Sequence, residues 1–336
     1  MKYSKYRNLG KYGAEVAPIG IGAMSFTNFY GPCDDNQANA ILTAALDMDL
    51  KHIDTSNVYG AGKSEERIGD FLSKQGNLAN DLFNIATKAA IYTDPETGKR
   101  GFNNEGEYLE KELDKSLKRL GVDCVDLFYV HRRDQNIEIE EVTDSLSKLV
   151  KKGKTKSIGF SEIAPSSLRR ASKIHHIAAI QSEYSLSTRA PEMGLLQACD
   201  ELGTALVAFS PVGRTFLTDK PLTYDFAQSL EFTKVNPRFN KPNYEHNISI
   251  TNKLRNYAKD ISVASATLSI SWLLSQGEHV IPIPGTRSVE HLKELAAGME
   301  FDMTDKIKSE IEDILPLGWA YGDRYSEAQW IGPERY

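Results

Sequence analysis

The sequence predicts one α/β barrel of eight strands, and three observations support this. Short apolar or β-branched runs recur along the chain, segments of helical period separate them, and polar residues follow several of the runs. Runs that are apolar throughout are typical of parallel strands buried on both faces. The 336 residues suffice for one (β/α)8 barrel with insertions, so we expect a single domain over 1–336.

Eight candidate strands can be counted in chain order. They are Ile19–Ala23, Lys51–Asp54, Leu82–Ala86, Val125–Val130, Lys156–Phe160, Ala178–Gln181, Ala205–Phe209 and Val280–Ile283. The segments between them carry apolar stripes at helical spacing, for example Leu109, Leu113, Leu117 and Leu120. We expect these stripes to cover the outside of the barrel.

Five segments accompany the barrel strands and their connecting helices. A turn at Leu9–Gly13 predicts an N-terminal β-hairpin, and the aperiodic stretch 218–243 after the seventh strand predicts a long loop over the active face. After the eighth strand we expect a helix over 288–297 and an extra helix that begins at Thr304 as N-cap. The tail 317–336, rich in Trp, Tyr, Gly and Pro, is expected to be irregular and to fold back over the site.

Composition narrows the class of protein. Hydrophobic residues make up 40% and charged residues 26%, which is ordinary for a globular protein, and the net charge of −6 gives no reason to expect nucleic acid as a partner. The sequence shows no signal peptide and no apolar run of membrane-spanning length, so we expect a cytoplasmic protein without a membrane partner. Cys33, Cys124 and Cys199 form no metal-site or disulfide pattern. A monomer is the default expectation.

Four polar residues lie where predicted strands give way to loops. Asp54 and Tyr59 follow the second strand, Lys88 ends the third and His131 ends the fourth. The C-terminal ends of barrel strands are open to solvent and carry the chemistry in such folds. One Asp, Lys or His at a strand end is usually structural, but four at successive strands predict a proton-donating site.

The chemistry of these four residue types favours reduction of a carbonyl. A carbonyl that accepts hydride needs a proton at the developing alkoxide, and a positioned acid supplies it. The ammonium of Lys88 is expected to lower the pKa of Tyr59, and Asp54 to hold that ammonium in place and charged.

The chain resembles the aldo-keto reductases nearly end to end. The segments that carry the resemblance are Asp54–Gly60, Thr87–Lys88, Tyr129–Arg132, Gly159–Glu162, Gln181–Ser185, Phe209–Arg214 and Ile283–Arg287. Gly159–Glu162 and Asn236–Phe239 are most similar to the branch that includes pyridoxal reductases and auxin-induced-type reductases. The resemblance implies reduction of small-molecule aldehydes or ketones with NADPH, with Tyr59 as the acid and His131 orienting the carbonyl.

The resemblance also implies where the cofactor binds. Ser161 and Gln181, with Glu162 beside them, would bind the nicotinamide carboxamide, and Phe209 would stack on the ring. The amides of Ser210, Val212 and Gly213 would run along the pyrophosphate, with Arg214 as a cation. Gly285, Thr286 and Arg287 would form an anion site at a helix N-terminus, and Arg287 favours the 2′-phosphate of NADPH over NADH.

Two regions depart from the family pattern. His291, Glu294 and Leu295 align where many members carry an Arg and then a Glu-Asn pair around the adenosine, and Leu295 cannot hydrogen-bond adenine. Thr215 stands where a Gly commonly follows the Arg, which would reshape the loop at the pyrophosphate.

Loop and tail residues supply the candidate walls of an apolar, aromatic substrate pocket. These are Met24, Phe26, Tyr30, Tyr92, Trp319 and Trp330. Pyridoxal, methylglyoxal-like, aromatic and sugar aldehydes all remain open as substrates.

Three interpretations of the sequence differ from a carbonyl reductase. Asn57–Ser64 ends like a phosphate-binding P-loop but lacks its first Gly, and His131–Asp134 is not a kinase catalytic loop, because no glycine-rich strand accompanies it. A redox-sensing regulatory protein of the same fold that binds NADP(H) and turns over little is the third. The intact set of four residues favours an enzyme.

Overall fold

The computed structural model describes residues 3–76, 79–94 and 96–336, and its strands match the predicted ones closely. In chain order they are β1 (Arg7–Asn8), β2 (Glu15–Val16), β3 (Ile21–Gly22), β4 (His52–Asp54), β5 (Asn84–Ala89), β6 (Ile91–Thr93), β7 (Arg100–Phe102), β8 (Val125–Val130), β9 (Thr155–Ser161), β10 (Ala179–Glu183), β11 (Ala205–Phe209) and β12 (Val280–Pro282).

Eight of these strands form a closed parallel barrel. The order is β3-β4-β5-β8-β9-β10-β11-β12, and every neighbouring pair is parallel. The amide of Gly20 donates to Pro282 O and that of Gly22 to Pro284 O, both at 2.9 Å, which joins the first strand to the last. The predicted (β/α)8 barrel is therefore confirmed.

Helices cover the barrel on its outside. They are α1 (Asp35–Asp47), α2 (Lys63–Ser73), α3 (Ala79–Leu82), α4 (Gly106–Leu120), α5 (Ile139–Lys151), α6 (Pro165–Ala171), α7 (Leu195–Leu202), α8 (Tyr224–Ser229), α9 (Asn243–Asp260), α10 (Ser265–Leu274), α11 (Val289–Ala296) and α12 (Asp305–Ile314).

The predicted apolar stripe of α4 faces the barrel. Leu109, Leu113, Leu117 and Leu120 are all buried in the main core. Burying one such side chain contributes roughly 1.5–3 kcal/mol to stability, so the stripe fixes α4 on the sheet.

The additions to the barrel lie as the sequence predicts, with one refinement. β1 and β2 pair antiparallel as the N-terminal hairpin, and Thr304 caps α12 by accepting a hydrogen bond from the amide of Ile307. The stretch 218–243 is less irregular than expected, because Thr223 caps the short helix α8 within it. No helix in the described part of the chain is long and apolar enough to cross a membrane.

The tail returns to the barrel rim, as predicted. It contains one short 3-10 turn, Glu327–Trp330, and is otherwise irregular. The amide of Glu334 donates to Glu162 O at 2.8 Å, and the Glu334 carboxylate accepts from the amide of Ala164 at 2.7 Å. The end of the chain is thus held against the loop that follows β9.

Candidate active site

A buried ion pair joins two neighbouring strands at the barrel rim. Lys88, near the end of β5, donates from Nζ to the carboxylate of Asp54, at the end of β4, and to Thr55 O at 2.7 Å. The other oxygen of Asp54 accepts from Gln181 Nε2 at 2.7 Å. Because both ionic side chains are almost fully buried, each needs the other as its partner.

Tyr59 and His131 lie beside this pair. The Nζ atom of Lys88 is 5.3 Å from the centre of the Tyr59 ring, and the rings of Tyr59 and His131 meet edge to face with centroids 5.8 Å apart. The structure therefore brings together the four residues that the sequence singled out from three separate strand ends.

The pKa of Tyr59 differs from the sequence-based expectation. Burial raises it well above its usual value, and the negative charge of Asp54 raises it further, while Arg132 opposes both. The net shift is upward rather than downward, so the lowering expected from Lys88 is not what sets the pKa of Tyr59. Tyr59 thus stays a protonated phenol, which is the form a proton donor needs.

His131 is a neutral imidazole with one nitrogen engaged. Burial lowers its pKa well below the ordinary value, and the positive charges of Arg132, Lys88 and Arg100 lower it further. Its Nδ1 lies 3.1 Å from Ser56 Oγ. When the Ser56 hydroxyl donates to Nδ1 rather than to Lys88 O, which is 3.2 Å away, the ring proton is on Nε2, which has no hydrogen-bond partner among the described residues.

The expected nicotinamide residues form a cradle across the next strands. Ser161 on β9 and Gln181 on β10 are direct neighbours in the barrel. Ser161 Oγ accepts from Arg132 Nη1 at 3.0 Å. Phe209, at the end of β11, is only half-buried, so its ring has a face available for stacking.

A second buried ionic group lies beside that cradle. Glu162 is paired with Arg324 from the tail, and Glu183 with Arg214 at 2.6 Å and with Arg238 at 3.5 Å. Burial alone would raise the pKa of both carboxyl groups, yet the arginines hold each below its usual value. The sequence did not predict Arg324 or Arg238 here.

The loop after β11 has an unusual backbone. Ser210, Gly213, Arg214 and Thr215 all have positive φ, at 52°, 57°, 53° and 82°. Thr215 is β-branched, so it is strained in this conformation, which explains why a Gly suits the position. Arg214 points inward to Glu183, and its buried Nε lacks a partner within the described chain.

The residues expected to bind the adenosine half of the cofactor lie where β12 leads into α11. Ser288 caps α11, and Arg287 donates from Nη1 to Pro32 O at 2.6 Å while staying partly accessible. His291 is exposed on the first turn of the helix. Leu295 is buried in the main core, so it packs the helix onto the barrel and is corrected from a cofactor contact to a structural residue.

The residues that precede α11 and the loop after β11 fit the phosphate groups of a dinucleotide. Gly285 and Thr286 precede the capped helix, where amides and the helix dipole favour an anion. In the loop after β11 the amide of Gly213 donates to Ser210 O at 2.9 Å, so it is engaged within the loop, while Arg214 has an unused donor.

The predicted pocket walls divide into two groups. Tyr30 accepts a hydrogen bond from Arg214 at 3.4 Å, Trp330 stacks on Arg324, and Met24 and Tyr92 are half-buried near the rim. Phe26 and Trp319 are corrected: Phe26 has no accessible surface, and Trp319 is a core residue that donates to Leu186 O.

Sequence reasoning missed an aromatic residue near the candidate active site. The hydroxyl of Tyr325 lies 3.3 Å from Arg132 Nη2, and its ring meets those of Phe232 and Trp330 edge to face. Arg132 directly follows His131, so this contact places Tyr325 near the candidate active site. The aromatic character of the tail was the only signal in the sequence.

Comparison with known proteins agrees with this architecture. The Aldo/keto reductase family model matches residues 18–316. The aldo-keto reductase yakc [NADP(+)] of Schizosaccharomyces pombe is 37% identical over 319 residues, which cover 94% of this chain and 93% of that protein. A probable aldo-keto reductase of Glycine max is 36% identical, covering 94% and 90%.

Solved structures show the same fold. A glycerol dehydrogenase from Gluconobacter oxydans superposes with a TM-score of 0.79 at 25% identity, over 93% of this chain and 95% of its own. An aldo-keto reductase from Bacillus halodurans in its holo form gives a TM-score of 0.75 at 22% identity, which supports the fold alone. From the family match and these relatives, this chain belongs to the aldo/keto reductase family.

Proposed function

We propose that this protein reduces aldehydes or ketones to alcohols with NADPH, and that Tyr59 donates the proton. The observation that carries the proposal is the group of Tyr59, Lys88, Asp54 and His131 at one rim of the barrel, next to the Ser161 and Gln181 cradle. NADPH, when bound, supplies the hydride. The named NADP(+) specificity of the Schizosaccharomyces pombe relative supports this choice of cofactor.

Each residue has a distinct task in the proposed reaction. The carbonyl oxygen lies between Tyr59 and His131, where Nε2–H orients it and the phenol delivers a proton as negative charge develops. An alkoxide is a stronger base than a phenolate, so a phenol with a raised pKa still donates to it. Lys88, held by Asp54 and Thr55 O, stabilises the resulting phenolate.

The cofactor preference rests on Arg287. Its guanidinium is partly accessible and precedes the Ser288 cap, so it can grip a 2′-phosphate beside the start of α11. Arg214 contributes positive charge near the pyrophosphate, and it is also paired with Glu183 at 2.6 Å.

The test is oxidation of NADPH and, separately, NADH by the purified protein with a panel of small aldehydes that includes pyridoxal. Wild type should oxidise NADPH in a saturable manner, and Tyr59→Phe should lower the turnover rate by about 10²–10⁴-fold because the acid is lost. Tyr12→Phe is the matched control, since Tyr12 is 75% exposed on the N-terminal hairpin and should leave turnover intact.

Two outcomes would contradict the proposal. If NADH alone supported turnover, the argument from Arg287 would be wrong. If wild type bound NADPH tightly but neither it nor Tyr59→Phe reduced any aldehyde, we would infer a redox-sensing regulatory protein instead of an enzyme.

A further inference from the structure

Two arginines at the mouth of the candidate active site have no carboxylate partner. The carboxylates of the two buried ionic groups are already paired: Asp54 with Lys88, Glu162 with Arg324, and Glu183 with Arg214 and Arg238. Among the ion pairs that the described residues form, none includes Arg100 or Arg132. Positive charge is therefore left in excess at this rim.

Arg132 is the inner of the two cations. It follows His131 directly, is only 7% exposed, and donates to three neutral oxygens: His131 O, Ser161 Oγ and the hydroxyl of Tyr325. A buried guanidinium bound only to neutral oxygens keeps most of its charge uncompensated. Its positive charge also acts on Tyr59, where it opposes the rise in the pKa of the phenol.

Arg100 is the outer cation, carried by the hairpin β6–β7 that follows β5. Its guanidinium lies 5.3 Å from the Phe102 ring centre. Phe102 and Arg132 both pack against Gly332 of the tail, which places this hairpin next to Arg132 at the rim. Asn104, just after this hairpin, donates to Arg132 O at 3.0 Å, and Arg132 directly follows His131, at which the carbonyl would bind.

We propose that Arg100 and Arg132 form an anion-recognition site, and that the preferred substrates are aldehydes that also carry a carboxylate or a phosphate. This inference rests on the proposed reductase function and adds the class of substrate. The aldehyde oxygen would lie at Tyr59 and His131, and the anionic group would extend toward the hairpin. Arginine suits this task because its planar donors match carboxylate and phosphate oxygens.

The experiment compares 4-carboxybenzaldehyde with its methyl ester, which keeps the ring and the aldehyde but removes the charge. We expect wild type to favour the carboxylate by about tenfold in kcat/KM, mainly through KM, because a charge-assisted hydrogen bond is stronger than one to a neutral ester oxygen. The preference should fall with rising salt concentration, since Arg100 is exposed to solvent.

Variants of the outer arginine test its role without disturbing the Ser161 contact of Arg132. Arg100→Gln should reduce the preference to about twofold or less, and Arg100→Lys should keep part of it. Lys99→Gln is the matched control, because Lys99 is the exposed neighbour on the same hairpin and its removal takes away the same charge. It should leave the ratio of the two kcat/KM values unchanged.

Equal use of both aldehydes by wild type, or an unchanged ratio in Arg100→Gln, would overturn the proposal. If wild type reduced neither aldehyde, the reductase function itself would fail. Binding of benzoate and of benzamide to wild type and Arg100→Gln, measured by calorimetry, then decides the anion site alone. Tighter binding of benzoate that is lost in the variant supports the site, and equal binding of both compounds rejects it.

Discussion

Two buried ionic groups at the same rim of the barrel are built in different ways. Asp54 and Lys88 come from adjacent strands, β4 and β5, and bond each other directly. Glu162 and Glu183 also sit at the ends of adjacent strands, but their cations come from the loop after β11 and from the tail. The first group is fixed by the barrel itself, whereas the second also holds distant segments in place.

We infer from this difference that the two ionic groups have different roles. The Asp54–Lys88 pair supports Tyr59 and belongs to the proposed chemistry. The group of Glu162, Glu183 and Arg324 fastens the tail beside the expected nicotinamide cradle. Breaking the first group should therefore affect the barrel and turnover, and breaking the second should mainly affect the tail and cofactor binding.

The largest effect is expected from Lys88→Met. It leaves the Asp54 carboxylate buried without its cation, which should cost about 3–5 kcal/mol in the free energy of unfolding. Urea denaturation measures this loss. The double variant Asp54→Asn/Lys88→Met removes both charges and should recover part of it; a double variant as unstable as the sum of the single ones would show that the pair is not coupled.

A smaller effect is expected from Arg324→Met. Glu162 loses its cation but keeps a hydrogen bond from the amide of Glu183, so we expect a loss of about 2 kcal/mol and faster proteolysis within the tail. Arg335→Met, at an exposed position of the same tail, is the control and should cleave at the wild-type rate. Equal cleavage of all three proteins would contradict the fastening role.

The same group predicts a pH dependence. The pKa of Glu162 is lowered in the folded protein, so its stabilising contribution is present above the unfolded value of about 4.3 and is lost as pH falls through the folded pKa. The stability difference between wild type and Glu162→Gln should be greatest near neutral pH and shrink under acid conditions. A difference that grew on acidification would reverse the sign of this argument.

The smallest effect concerns Thr215→Gly. A β-branched residue at φ 82° is strained, and Gly relieves that strain, so the variant should be about 1 kcal/mol more stable. Loss of the hydrogen bond from the amide of Leu222 to Thr215 Oγ1 offsets part of the gain. Thr218→Gly, in the same loop but without positive φ, should instead be destabilised, and thermal unfolding of both variants checks the opposite signs.

The two ionic groups also differ in how far the sequence predicted them. Asp54, Lys88 and His131 follow from a local rule, because polar residues at the C-terminal ends of buried strands must meet at one rim. Arg324 and Tyr325 could not be located this way, since an irregular tail has no period and its path is set by tertiary contacts. Aromatic composition predicted that the tail folds back, but not which side chains reach the site.

Burial caused the other differences between expectation and structure. Phe26 and Trp319 are aromatic residues near the rim in sequence, but packing places them in the core. Leu295 aligns with a cofactor position yet faces the barrel. The pKa of Tyr59 depends on desolvation and on the negative charge of Asp54, and neither effect can be read from residue spacing.

The most direct test of the account measures two quantities on Tyr59→Phe and Arg324→Met: the single-turnover rate of NADPH oxidation with an aldehyde, and the dissociation constant for NADPH. The account predicts that Tyr59→Phe loses at least a hundredfold in rate while binding NADPH as wild type does, and that Arg324→Met binds NADPH more weakly. A Tyr59→Phe protein that oxidised NADPH at the wild-type rate would contradict the central claim that Tyr59 donates the proton.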